Sequence, residues 1–173
     1  MKIIGRNIYL DYFNKEDISQ IYIDWLNDKD IVKFSRQRHT THTYKSCLDF
    51  YFKVKKNKSS FLKINNLKNN KFIGTMTYIF KNDIVDIGIM IGDKGYWNKK
   101  IGLEAWKLSI NYLFSLENIT KITAGCLSNN FAMEKIFKKT NMTFSHSKKI
   151  TNKYTNNIET FINMMTLFLI TLI

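Results

Sequence analysis

The segment from residue 60 to 91 constrains the fold most. It holds three β-rich runs, Ser60 to Ile64, Phe72 to Phe80 and Ile84 to Ile91, separated by polar clusters at Asn65 to Asn70 and Lys81 to Asp83. Connections this short join antiparallel neighbours, because a parallel crossover needs about a dozen residues or more. A central meander is therefore expected. Upstream, a short strand around Ile8 to Tyr12 precedes Asn14, a good N-cap, and then Ile18, Ile21, Tyr22, Trp25 and Leu26 recur at helical spacing. The spacing returns behind Thr43 as Tyr44, Cys47, Leu48, Tyr51 and Phe52. Downstream, a helix from about Gly102 to Ser115 is expected to bury Leu103, Trp106, Ile110, Leu113 and Phe114, followed by a strand from Lys121 to Cys126. A helix from Asn130 to Lys139 buries Met133, Ile136 and Phe137, and strands from Thr143 to Lys148 and from Ile158 to about Leu169 close the chain. The order β-α-α-β-β-β-α-β-α-β-β predicts an α/β (α+β mixed) domain. Its sheet is mixed and mostly antiparallel, with about seven strands flanked by about four helices.

Composition narrows the function. With 173 residues, 45% of them hydrophobic and 14% aromatic, the chain reads as one folded domain over 1–173 and not as a disordered segment. The formal net charge is +13, an excess made mostly of lysine that comes with abundant Asn and Ile and no proline. An AT-rich coding sequence produces that usage by itself. A solvated lysine surface ranks first, attraction for an anionic small molecule second, and nucleic-acid binding last. Cys47 and Cys126 form no C-x-x-C, which argues against a zinc site or disulfide framework and for a reducing cytoplasm. Met1 to Arg6 lacks the apolar stretch of a signal peptide. Phe161 to Ile173 is apolar but interrupted by Asn163, Thr166 and Thr171, and too short to span a bilayer, so a buried C-terminal strand is expected.

One stretch carries a specific likeness. Asp86-Ile87-Gly88-Ile89-Met90-Ile91-Gly92-Asp93-Lys94-Gly95-Tyr96-Trp97, followed by Lys99-Lys100-Ile101-Gly102-Leu103-Glu104-Ala105, resembles the RimJ/RimL-type segment of the GNAT N-acetyltransferases. There a strand runs into the acetyl-CoA pyrophosphate loop and then a helix. Ile122 to Cys126, Asn129-Asn130 and Phe137-Lys138-Lys139 resemble the next strand and helix of the same branch, as do Trp25-Leu26-Asn27-Asp28 and the region from Arg36 to Cys47. The resemblance implies a GNAT fold, acetyl-CoA as co-substrate, a small-molecule amine as acceptor, no metal, and a monomer or homodimer. It also implies that Trp97, Asn98, Lys99, Lys100, Ile101 and Gly102 cradle the diphosphate, since a helix N-terminus leaves amide groups unpaired and partly positive. Backbone groups of Ile89, Met90 and Ile91 then pair with the pantetheine arm, and Asn130 bonds the CoA arm or simply caps its helix.

The chain departs from the family pattern in four places, one of them Met133, where the family often has a serine that could bond CoA. Only Gly102 survives of the loop's usual glycines, so Lys100 is expected either to crowd the phosphates or to adopt an unfavourable φ. Phe137 stands where many relatives place a tyrosine that protonates the departing thiolate. Asn141 replaces the usual glycine after the last helix, where Asn is the next-best left-handed residue.

Amide formation needs an uncharged amine, a donor for the developing oxyanion and a route for the proton. Asp86, at the start of the central strand, is the candidate base, where the branch commonly carries a glutamate; the alternative is a solvated strand-edge carboxylate. Cys126 is read as a small buried hydrophobe ahead of a covalent acetyl-cysteine. Trp25, Arg36, Gln37 and His39 are the candidate acceptor contacts, although Trp25, Tyr44 and Phe52 also read as core. Metal binding by His39 and His42 has no third ligand. Three acceptors compete: a nucleotide-linked amino sugar, as in bacterial surface-glycan synthesis; a protein N-terminus; and a polyamine or aminoglycoside. The basic balance disfavours the polycations and favours the nucleotide sugar. A non-catalytic acyl-CoA-binding module is the remaining alternative.

Overall fold

The computed structural model describes residues 2–152 and 155–167. The described strands form one sheet: β1 (Lys2–Ile4), β2 (Ile8–Tyr12), β3 (Ser60–Asn66), β4 (Phe72–Lys81), β5 (Ile84–Ile91), β6 (Lys121–Leu127), β7 (Thr143–Thr151) and β8 (Ile158–Leu167). Their spatial order is β1-β2-β3-β4-β5-β6-β8-β7, antiparallel throughout except for the parallel pair β5–β6. The meander is β3-β4-β5. The turn between β4 and β5 is short because Asn82 takes a left-handed φ of 56°.

Helices α1 (Gln20–Asn27) and α2 (Tyr44–Lys56) cover one face, and α3 (Ile101–Phe114) and α4 (Phe131–Lys139) the other. On the α3/α4 side Val85, Ile87, Trp106, Leu113, Ile122 and Phe137 form the main core. Trp106 and Phe137 are each only 1% exposed, with ring centroids 5.7 Å apart. Full burial of side chains this size stabilises by roughly 1.5–3 kcal/mol each. The buried Tyr78 hydroxyl donates to Ser109 Oγ at 2.7 Å, and Ser109 donates onward to the Ala105 carbonyl at 2.8 Å, so this polar pair is satisfied inside the core. On the α1/α2 side Phe13, Tyr22, Trp25, Tyr51 and Phe61 make a second, aromatic cluster.

Several boundaries differ from expectation. The sheet has eight strands because Lys2–Ile4 turns back onto β2; Gly5 N–H bonds the Ile8 carbonyl at 2.8 Å, and three residues are too few for a pattern to register. Asn14 precedes a 3-10 turn over Lys15–Asp17, and the cap of α1 is Ser19, whose Oγ accepts from Tyr22 N–H. Thr43 caps α2 as expected, accepting from Ser46 N–H at 3.3 Å. Ile21, Tyr44 and Phe52 are 60%, 51% and 53% exposed, because the packed stripe of each helix is narrower than the apolar spacing allows. Asn141 has the expected positive φ, 53°. Strand β7 runs three residues past Lys148, to Thr151. The final strand is described to Leu167, and residues 168–173 of the expected apolar end lie outside the described residues.

Candidate active site

The two central parallel strands part early. β5 and β6 pair only at Ile84–Lys121, Val85–Ile122 and Asp86–Thr123, although β5 continues to Ile91 and β6 to Leu127. Beyond Asp86 the backbone edge of β5 therefore has no strand partner on the β6 side among the described residues, while its other edge stays bonded to β4 as far as Ile91. Carboxylate–hydroxyl bonds hold both ends of this short pairing: Asp83 with Thr120 below, and Asp86 with Thr123 at the fork. Thr123 Oγ1 lies 2.9 Å from Asp86 Oδ2. Surrounding protein removes enough solvent to raise the Asp86 pKa, a shift opposed by the Thr123 hydrogen bond and by the charges of Lys81 and Arg36. A carboxylate held this way is a better base than one in bulk water.

Strand alternation assigns the two sides of the fork. Val85, Ile87, Ile89 and Ile91 pack with the α3/α4 core, whereas Asp86, Gly88 and Met90 point to the α1/α2 side, Met90 against the aromatic cluster. Across the fork, Ile122, Ala124 and Cys126 join the α3/α4 core and Thr123 and Gly125 share the face of Asp86.

The chain leaves β5 through a 3-10 turn at Lys94–Tyr96 and enters α3 through Trp97 to Lys100. Asn98 and Lys100 both have positive φ, 60° and 61°, which costs about 1–2 kcal/mol for a non-glycine residue. This is the unfavourable φ expected at Lys100. A left-handed residue followed by the right-handed Ile101 curls successive amides into a concavity suited to an anion. No side chain among the described residues caps α3, and the first backbone bond reaching back to Lys100 comes from Glu104 N–H at 3.0 Å. The amides of Ile101, Gly102 and Leu103 thus face outward at the positive end of the helix, beside the exposed Lys99 and Lys100. A Cβ on Gly102 would meet Ile136 Cδ1 at 3.5 Å and Ile89 Cδ1 at 3.8 Å, ordinary contacts. The protein interior does not require glycine there; a Cβ at this position would stand at the open edge of β5, between Ile89, Ile91 and Ile136 of α4. Trp97 crosses to β5, its Nε1 donating to the Ile91 carbonyl at 2.9 Å.

The remaining candidates lie as follows. Asn130 caps α4, its Oδ1 accepting from Met133 N–H at 3.2 Å. Phe137 is enclosed beside Trp106 and does not line the groove surface. Cys126 is buried, and burial pushes its thiol up to about 11, away from thiolate chemistry. Trp25 sits in the aromatic cluster 4.9 Å from Phe72 and against Gly92, where a Cβ would come within 2.0 Å of its ring. It lines a cleft of about 420 Å³ between α1 and the turn after β5; Asp86 does not line that cleft, so the fork marks the site better. Arg36, Gln37 and His39 fall in a 3-10 turn, Arg36–His39, that is tied down on three sides. Arg38 pairs with Glu159 at 2.5 Å, His39 Nε2 lies 3.0 Å from Asn152 Nδ2, and the His42 backbone bonds Asn27 at 2.8 and 2.9 Å. Arg36 reaches the Phe161 ring, 5.8 Å from its centroid. Gln37 is half-buried and donates its N–H to Ser35 Oγ at 3.1 Å. Sequence reasoning missed Thr123 beside Asp86 and Phe161 beside Arg36, whose positions depend on register between distant strands. No group of three or more His, Cys, Asp or Glu is placed to hold a metal among the described residues, and no described helix is long and apolar enough to cross a membrane.

A family profile described as "Acetyltransferase (GNAT) domain" matches residues 7–143. No curated protein matches the chain in sequence. Among solved structures, an acetyltransferase of the GNAT family from Bacillus anthracis superposes with a TM-score of 0.81 at 19% identity, over 96% of this chain and 98% of that one. RimL, a ribosomal L7/L12 alpha-N-protein acetyltransferase in complex with coenzyme A, gives 0.82 at 9% identity, over 96% and 98%. The microcin C7 self immunity acetyltransferase MccE, in complex with acetyl-CoA and AMP, gives 0.79 at 14% identity, over 94% and 93%.

Proposed function

Because the chain belongs to the GNAT acetyltransferase family, we propose that it acts as the RimJ/RimL-like branch it resembles and transfers acetyl from acetyl-CoA to the primary amine of a small molecule bound at Asp86. The observation that carries this reading is the fork itself: an unpaired edge of β5 opens in front of an uncapped helix N-terminus, with a raised-pKa carboxylate at its apex.

The amides of Ile101 to Leu103 and the charges of Lys99 and Lys100 bind the diphosphate, and the free edge from Ile87 to Ile91 offers backbone partners to the amide-bearing arm. Trp97 already uses the Ile91 carbonyl, which leaves the groups nearer Ile89 for that arm. Asp86, oriented by Thr123, removes a proton from the incoming ammonium directly or through water, so that the neutral amine attacks the thioester carbonyl. Phe137 cannot donate a proton, so the C–S bond of the tetrahedral adduct breaks to release CoA as its thiolate, and with a thiol pKa of about 8.5 the thiolate takes up from water the equivalent of the proton that the new amide nitrogen loses. Cys126 takes no covalent part.

For the acceptor, a nucleotide-linked or phosphorylated amino sugar is favoured over a polyamine by the +13 net charge, and the AMP bound to MccE is consistent with that class. The second reading is a protein N-terminus, favoured by the activity named for RimL. Trapping free thiol from acetyl-CoA in the presence of a panel of amines, UDP-linked amino sugars and N-terminal peptides tests both. Coenzyme binding without thiol release on any amine overturns the transfer reading.

A further inference from the structure

The face that carries Asp86 continues across β6, β8 and β7. Thr123 is paired with Asp86; Gly125 lies two residues further along β6, about 7 Å away. Phe161 on β8 pairs with Leu127 on one side and with Lys148 of β7 on the other, so Gly125, Phe161 and Lys148 share this face. The Phe161 ring lies directly over Gly125, where a Cβ would come within 2.3 Å of it. Two cations converge on that ring: the Arg36 guanidinium at 5.8 Å and Lys148 Nζ at 5.7 Å from its centroid.

Neither cation makes an ion pair among the described residues. Their neighbour Arg38 does, with Glu159, and that pair fixes the turn from which Arg36 projects. Arg36 is close enough for Asp86 to feel its charge. An exposed guanidinium and an exposed ammonium gathered on one aromatic ring, in no ion pair among the described residues, match an anionic group.

We propose that Arg36 and Lys148, converging on Phe161 above Gly125, form a subsite for a phosphate group of the acceptor while its amine lies at Asp86. The proposal rests on the transfer reading and adds the acceptor class to it. Phe161 pairs with Leu127, four residues along β6 from Thr123, and its ring leans back over Gly125, so the two cations lie beyond the spacing of adjacent amine and carboxylate in an amino acid and call for an acceptor that carries its phosphate across a sugar ring from its amine.

Calorimetry on the wild type, Arg36→Gln, Lys148→Gln and the double variant, with and without saturating coenzyme A, tests it with glucosamine 6-phosphate and glucosamine as probes. The wild type should bind the phosphorylated probe at least about tenfold more tightly, and the double variant should lose most of that difference while keeping its melting temperature. Equal binding of the two probes by the wild type, or an unchanged preference in the double variant, overturns the proposal. Thiol release is followed in parallel. Preferential phosphate binding without turnover leaves the subsite standing and removes the transfer reading, whereas turnover with no phosphate preference does the reverse.

Discussion

Thr123 donates a 2.9 Å hydrogen bond to Asp86 at the last residue pair before β5 and β6 separate. The same contact sets the apex of the fork and orients the carboxylate that faces the acceptor side. As the contact that closes the fork and holds the proposed base, it makes Asp86 the first residue to test.

Asp86→Asn keeps the size and the acceptor oxygen for Thr123 but cannot take a proton. Turnover with any accepted amine should fall by about a hundredfold or more. Loss of solvent raises the Asp86 pKa, so the folded state binds this proton more tightly than the unfolded state, and ionisation weakens the fold as pH rises through the raised value. A neutral asparagine escapes that effect. Thermal unfolding at neutral pH should therefore show a melting temperature equal to or above that of the wild type.

Thr123 can be separated from its structural role by comparing two replacements. The hydroxyl lowers the Asp86 pKa against desolvation, so Thr123→Val should raise that pKa further. Activity requires the ionised carboxylate, and the acid limb of the kcat/KM profile should then move to higher pH. Thr123→Ser restores the donor and should return the limb towards its wild-type position. A purely structural role would lower the amplitude without moving the limb.

Gly102→Ala separates the groove from the fold. The added Cβ makes only ordinary contacts with Ile136 and Ile89, and alanine favours a helix over glycine by roughly 0.5–1 kcal/mol. The melting temperature should hold or rise, while the KM for acetyl-CoA rises about tenfold, or ~1.4 kcal/mol, as the groove mouth narrows.

Cys126→Ala addresses the covalent alternative. With its thiol pushed up to about 11, Cys126 is protonated at neutral pH. The variant should retain transfer within about threefold. Intact-mass measurement of the wild type after incubation with acetyl-CoA should show no acetyl adduct.

Helices α2, α3 and α4 and strands β3 to β6 were legible because each repeats its apolar residues at one period, and Thr43 and Asn130 mark helix starts by side-chain chemistry. The short β1 was not, since Lys2, Ile3 and Ile4 acquire meaning only when paired with β2. At the site, local information sufficed for the strand–turn–helix running from Asp86 to Gly102 and for the strained Lys100. It did not suffice for Thr123, Lys148 and Phe161. Thr123 meets Asp86 through the parallel β5–β6 pairing, and Phe161 and Lys148 come onto the same face because β8 inserts between β6 and β7, long-range topology that no residue pattern within one strand encodes. Trp25 reads the same way in reverse: a motif residue by sequence, it is held in the aromatic cluster by Phe72 and Gly92.

Titrating acetyl-CoA calorimetrically into the wild type and into Asp86→Asn, with thiol release followed on the same samples, bears most directly on the fork as the transfer site. Both proteins should bind one equivalent with equal affinity, and only the wild type should release thiol when an accepted amine is added. Absence of heat in the wild type, or equal release by both proteins, would contradict it.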